Sequence, residues 1–283
     1  MEIPDFLSSL ICDRNVVLFL GAGASKGAFD LKGSPHPDGK QLGDKLSDKF
    51  LGGKFKELPL SQIADLSISE SSLADVEQFI HDIFEGLNPA SFHNQICKFW
   101  WFGIATTNYD LILERVYNPK NAPVQNIVPF VSDQDRVDDR MRDTRSLMFL
   151  KLHGCITRVN SLSLILSVDQ YLTYRQGRER IYNYLYDWAY EHPIIFIGQS
   201  LQDPDLRAIL LELDQKIKSK PRYYIIVPKI DDIQKRFWET KKVTVLEGTF
   251  EDFLSSLEIK VPQKDRAMHV DVSAELPISE KFI

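Results

Sequence analysis

Four short clusters of small and polar residues hold the side chains most able to do chemistry, and each follows an apolar run. They are Gly21-Ala22-Gly23-Ala24-Ser25, Thr106-Thr107-Asn108-Tyr109-Asp110, Lys151-Leu152-His153-Gly154 and Gly198-Gln199-Ser200-Leu201-Gln202-Asp203-Pro204-Asp205. In the first, small residues let backbone N–H groups approach a pyrophosphate and Ser25 adds a hydroxyl donor. A tight strand-to-loop turn explains the same residues. In the second, the amide of Asn108 and the carboxylate of Asp110 suit a carboxamide and a ribose hydroxyl, with Thr107 beside them. Thr107 or Asn108 would equally cap a following helix. His153 stands directly after a buried run and before a glycine, where an imidazole can reach a ligand and exchange protons near neutral pH. In the fourth cluster Gly198, Gln199 and Ser200 can line a nucleotide, while Asp203 and Pro204 read as the N-cap and first residue of a helix. The other histidines, His36, His81, His93, His192 and His269, have no comparable setting and are read as structural.

The elements that must position these clusters follow from hydrophobic patterning. Asn15–Leu20, Gly103–Thr107, Leu147–Leu152, Ile194–Gly198 and Tyr223–Val227 are apolar runs of strand length, with a weaker one at Val243–Leu246. Unbroken apolar runs fit strands covered on both faces, as in parallel sheets. Helical patterns lie between several of them, at Tyr109–Tyr117, Arg178–Tyr190, Asp205–Lys218, Ile230–Lys241 and Thr249–Leu257. The alternation predicts an α/β fold, a doubly wound, Rossmann-like parallel sheet with ligands at the carboxyl ends of its strands. Residues 41–100 break the rhythm with helical patterns and no convincing strand, and are expected to form an inserted helical subdomain. Asp133–Arg145 is a dense mixed-charge run, expected to be a solvated loop or helix face. The expected organisation is one domain over residues 1–260, with 261–283 a tail or linker.

Composition narrows the classes. The 283 residues are 43% apolar and 26% charged, ordinary for a globular protein with a full core. A net charge of -6 gives no general attraction to nucleic acid, so direct nucleic-acid binding is not expected. The first residues lack a basic segment followed by a long apolar one, and no run is long enough to span a bilayer, so a cytoplasmic protein is expected. Cys12, Cys97 and Cys155 are scattered, which predicts neither a disulfide framework nor a metal site. The glycines do not follow G-x-G-x-x-G, and no strand with an acidic ribose ligand follows at the required distance, which disfavours an ordinary dehydrogenase. Gly33–Lys40 has one residue too many for a kinase-like phosphate loop.

The ordered set GAGAS, TTNYD, KLHG and GQSLQDPDL resembles the sirtuin-like domains of bacterial antiphage defence proteins, over roughly residues 10 to 258. The resemblance implies a domain that takes NAD as substrate and hydrolyses it to nicotinamide and ADP-ribose, depleting NAD in an infected cell. It assigns the catalytic pair to Asn108 and His153, the NAD phosphates to Gly21, Ala22, Gly23 and Ser25, and the adenosine half to Gly198 and Ser200. It matches Asp110 to the aspartate that recognises the nicotinamide amide, with Thr107 in the same NAD-binding segment. Protein-deacetylating sirtuins carry a four-cysteine zinc ribbon, whereas Cys155 stands alone after His153, so zinc is not expected and deacylation is disfavoured. The alternatives are an NAD-dependent deacylase or ADP-ribosyltransferase, and a non-catalytic module that binds NAD or ADP-ribose. The resemblance also implies a homo-oligomer, with a partner protein or additional domain that senses infection.

Overall fold

An apolar run with no polar side to present to water needs cover on both faces, and the arrangement of this chain provides it. The computed structural model describes residues 1–121, 123–173, 175–199, 207, 210 and 221–267. Seven strands form one parallel sheet: β1 (Val17–Leu20), β2 (Gly103–Thr106), β3 (Asn126–Phe130), β4 (Ser146–Lys151), β5 (Ile194–Ile197), β6 (Tyr223–Val227) and β7 (Val243–Glu247). Their order is β3-β4-β2-β1-β5-β6-β7. The helices are α1 (Asp5–Cys12), α2 (Gly39–Phe50), α3 (Leu60–Glu70), α4 (Leu73–Phe84), α5 (Ile112–Val116), α6 (Val137–Arg140), α7 (Val168–Leu172), α8 (Glu179–Glu191), α9 (Asp232–Thr240) and α10 (Phe250–Lys260).

Successive strand residues face opposite sides, so β1 feeds two cores. Val17 and Phe19 pack with Phe196, Ile225 and the α8 residues Tyr182 and Leu185. Leu18 and Leu20 pack with Ile104, Ile195, Leu7 and Ile11 of α1, and Phe253 and Leu257 of α10. Each such fully buried Leu, Ile or Phe contributes roughly 2 kcal/mol from removal of apolar surface from water. The sheet is therefore rigid, and its carboxyl ends can hold side chains in fixed positions.

Between β1 and β2 the chain forms the expected helical insertion. Asp38 caps α2 in a capping box with Gln41, and the Ser72 hydroxyl caps α4 by accepting from the Asp75 amide. Leu46, Ile63, Val76 and Phe84 form a third core that continues into Ile112, Ile156 and Leu164, residues that follow β2 and β4. The insertion thus packs onto the loops at the carboxyl edge.

Several details differ from the sequence expectation. β3 was not anticipated, because Pro129 interrupts its pattern; the proline is tolerated at the sheet edge, where β3 pairs with β4 alone. The short α1 was also not anticipated, since no side chain caps its start. The helix expected from Tyr109 begins at Ile112. In the mixed-charge run Asp135 is buried, accepting from the amides of Val131 and Ser132 and from Arg158. Packing also continues past Pro262: Ala267 is buried and its amide donates to the Lys98 carbonyl. Apart from residues 207 and 210, the helix expected at 205–218 lies outside the described residues, as does the terminal stretch 268–283.

Candidate active site

The strand order reverses direction around β1, because the chain leaves it toward β2 and returns on the other side as β5. Ligands in open α/β sheets bind in the crevice at such a point. Here the loops after β1 and β5 are joined backbone to backbone: the Gly21 amide donates to the Ile197 carbonyl and the Gly23 amide to the Gly198 carbonyl, both at 2.9 Å. Gly198 has φ +74°, and a Cβ there would lie 2.0 Å from the Ala24 nitrogen. A Cβ on Gly23 would lie 2.8 Å from the Gly198 Cα, and one on Gly21 2.4 Å from the Gln199 side chain. The glycines are thus required by the packing of the two loops. Residues 22–25 form a 3-10 turn whose Ala22 and Gly23 are exposed, while the Gly21 and Gly23 amides stay committed inside the protein. Gln199 is buried and donates through Nε2 to Thr107 Oγ1 at 3.3 Å. Ser200 lies outside the described residues.

The TTNYD segment forms the centre of a polar network. Thr106 Oγ1 donates to the Leu20 carbonyl at 2.8 Å and accepts the Asn108 amide at 3.0 Å. Asn108 Nδ2 donates to the Gly21 carbonyl and to Ser25 Oγ, each at 3.0 Å. A carbonyl only accepts, so this contact favours the nitrogen end of the amide facing inward, and the Ser25 contact adds to it. Ser25 Oγ donates to Asp110 Oδ2 at 2.7 Å, and His36 Nε2 stands 3.2 Å from the same oxygen. Asp110 Oδ1 accepts the Ile112 amide at 2.9 Å. Burial alone would raise the Asp110 pKa, but the hydrogen bond and charge of His36, the charge of Lys151 and the Ile112 amide hold it at about 2. An ionised carboxylate only accepts, so His36 carries the proton on Nε2. Asp110 therefore satisfies protein donors with both oxygens. Its Oδ1 holds the Ile112 amide at the start of α5, whose N-cap is Leu111 rather than the Thr107 or Asn108 that the sequence suggests.

His153 occupies the matching position on the next strand. Thr106 of β2 pairs with Lys151 of β4, and the Leu152 amide donates to the Thr106 carbonyl at 2.9 Å. Asn108 and His153 each lie two residues beyond that pair. His153 is buried, with Tyr171 of α7 edge-on at 5.4 Å between ring centroids. Burial first, and then the positive charge of Arg178, push its pKa down to about 3. Lys151 is fully buried and donates through Nζ to the Asp110 carbonyl and, at 2.8 Å, to Glu114 Oε1. It pins the loop carrying Asn108 to the strand carrying His153.

Two contributors were read from the sequence as structural histidines. His36 joins the network through Asp110, and nothing in its Pro-rich surroundings signals this. His93 is buried, accepts the Ala90 amide at Nδ1 and donates through Nε2 to the Ala24 carbonyl at 2.8 Å, bracing the GAGAS turn from below. Lys151 did leave a signal, as a charge inside an apolar run. No group of three or more His, Cys, Asp or Glu side chains among the described residues is placed to hold a metal ion. None of the described helices is long and apolar enough to cross a membrane.

A family model described as a SIR2-like domain matches residues 103–246. The chain is 24% identical over 201 residues to "Defense-associated sirtuin 2" of Bacillus subtilis, a match covering 69% of this chain and 19% of that protein. It is 26% identical over 218 residues to "NAD(+) hydrolase ThsA" of Cytobacillus dafuensis, covering 74% of this chain and 40% of that protein. The matched region spans less than half the length of either relative.

Proposed function

Because this chain belongs to the SIR2-like domain family, we propose that it is an NAD glycohydrolase, cleaving NAD to nicotinamide and ADP-ribose, and that it serves antiphage defence. The observation that carries the reading is the Asn108 amide held in one orientation just after β2, with a buried His153 at the matching register position just after the neighbouring β4. The names of the two relatives, one a defence-associated sirtuin and one an NAD(+) hydrolase, support the substrate and the setting.

Hydrolysis breaks the bond between the nicotinamide nitrogen and ribose C1′, whose electron pair leaves with neutral nicotinamide. Positive charge then builds on the ribose, and a water oxygen bonds to C1′ as it loses a proton. A site for this reaction must orient the ribose and the water and let that proton leave. With its nitrogen turned inward, Asn108 presents Oδ1 as an acceptor for a ribose hydroxyl or the water. A neutral imidazole at His153 can accept a hydrogen bond from a ribose hydroxyl or from the attacking water, whose proton passes on to solvent. The exposed Ala22–Gly23 face is the part of the first loop that the NAD phosphates can approach, and the family resemblance gives Thr107 to the NAD-binding segment and Gly198 and Ser200 to the adenosine half. Asp110, with both oxygens engaged, contributes by holding Ser25 and Asn108, rather than by direct contact with the nicotinamide amide.

The relatives are longer than the matched region, and the proposal includes control by self-association, by a partner protein or by further sequence that senses infection. In the assay, Asn108→Ala and His153→Ala should each lower NAD cleavage about 100-fold or more, the scale of losing a positioned hydrogen-bond acceptor or transition-state contact. Turnover close to the parent in either variant would overturn the assignment.

A further inference from the structure

We propose that His36 is a positioning residue for Asn108, acting through Asp110 and Ser25 to keep the amide oxygen of Asn108 turned toward the crevice. The inference rests on the reading of Asn108 as a residue that touches substrate.

An asparagine amide has two ends of nearly equal shape, and its surroundings decide which one faces a ligand. Both Asn108 Nδ2 hydrogens have acceptors here, the Gly21 carbonyl and Ser25 Oγ. The second contact exists because Ser25 accepts. A hydroxyl has one hydrogen, and that of Ser25 is given to Asp110 Oδ2 at 2.7 Å. Were Ser25 to turn its hydrogen toward Asn108, it would favour the flipped amide with Oδ1 inward. The direction of this chain depends on Asp110 remaining an acceptor. Its carboxylate is buried, and the groups around it are His36, Ser25, the Ile112 amide, His93 and the charge of Lys151, whose Nζ bonds the Asp110 carbonyl rather than its carboxylate. Removing His36 takes away the side chain that donates to Oδ2 alongside Ser25 and its share of the opposition to burial, so the Asp110 carboxyl takes up a proton more readily. Protonated Asp110 can donate to Ser25 and reverse the chain.

His36 is held for this part by the insertion. Its ring lies 5.1 Å from that of Phe84 at the end of α4, and its amide donates to the Ala28 carbonyl at 2.8 Å. The side chain is only 5% exposed. The helical insertion thereby touches the imidazole that faces Asp110.

The test compares His36→Ala and His36→Gln with the parent in NAD cleavage, melting temperature and side-chain amide exchange. Glutamine also places an Nε2 donor near Asp110. Losing one positioning hydrogen bond should lower kcat in His36→Ala by roughly 10- to 100-fold with KM within about threefold, and His36→Gln should recover most of the loss. Exchange of the Asn108 side-chain protons, followed by nitrogen-edited NMR, should be about 10-fold faster in His36→Ala than in the parent, as expected when one of two acceptors is lost. A kcat equal to the parent's, a change confined to KM, or a loss that tracks melting temperature without rescue by glutamine would each overturn the proposal. If the parent releases no nicotinamide, the NAD reading fails by itself, and exchange still decides the relay: equal rates in parent and His36→Ala refute it.

Discussion

His153 and Asp110 are buried to a similar degree, and burial, helped by the charge of Arg178, keeps His153 neutral, whereas His36 and Lys151 keep Asp110 ionised against its burial. A histidine whose folded pKa is about 3 lies below its unfolded value near 6.5, so between those limits the unfolded chain binds a proton that the native one lacks. The stability held by neutral His153 is fully present above about pH 6.5 and is lost as pH falls toward 3. Activity has a matching expectation. A pH profile of kcat/KM measured between about pH 5.5 and 8 should show no inflection near 6.5 that disappears in His153→Ala, since the imidazole is already uncharged throughout. An inflection there, lost in the variant, would show a histidine that titrates in the open. At this scale Asn108 and His153 were legible because each follows an apolar run, the mark of a strand end. His36 was not, because its importance arises from a contact across the fold with Asp110, 74 positions away.

The two loops after β1 and β5 behave as one element, joined where Gly23 meets Gly198. Gly198→Ala should destabilise the protein by about 3 kcal/mol or more, since it adds strain at a positive φ to a collision with backbone that cannot swing aside. Gly39→Ala, at the start of α2 with its nearest neighbour 3.9 Å from the added atom, should stay within about 1 kcal/mol of the parent. Urea denaturation of both variants checks the contrast, and equal midpoints would refute it. The strands that carry the site were readable because continuous apolar runs have one stable home, a sheet covered on both faces. β3 escaped that signal, since an edge position tolerates both Pro129 and partial exposure. The sequence offers two readings of the first glycines, a backbone approached by a pyrophosphate and a tight strand-to-loop turn. What they approach is another loop of the same chain, and sequence spacing alone does not distinguish that from a phosphate.

For the molecule as a whole, the insertion packs onto the loops at the carboxyl edge and touches His36 through Phe84, which gives it a route to influence Asn108. An enzyme that destroys NAD needs an inactive state, and the relatives extend well beyond the region matched by this chain. The dilute domain should therefore be weakly active, with specific activity rising as chains associate or a partner binds. The most direct test of the account is mass spectrometry of NAD incubated with the parent, Asn108→Ala and His153→Ala across a hundredfold dilution series, with molecular mass followed by light scattering. The account predicts equal amounts of nicotinamide and ADP-ribose from the parent, more per chain at high concentration than at low, and about 100-fold less from either variant. No nicotinamide release at any concentration, or release by Asn108→Ala equal to the parent's, would contradict it.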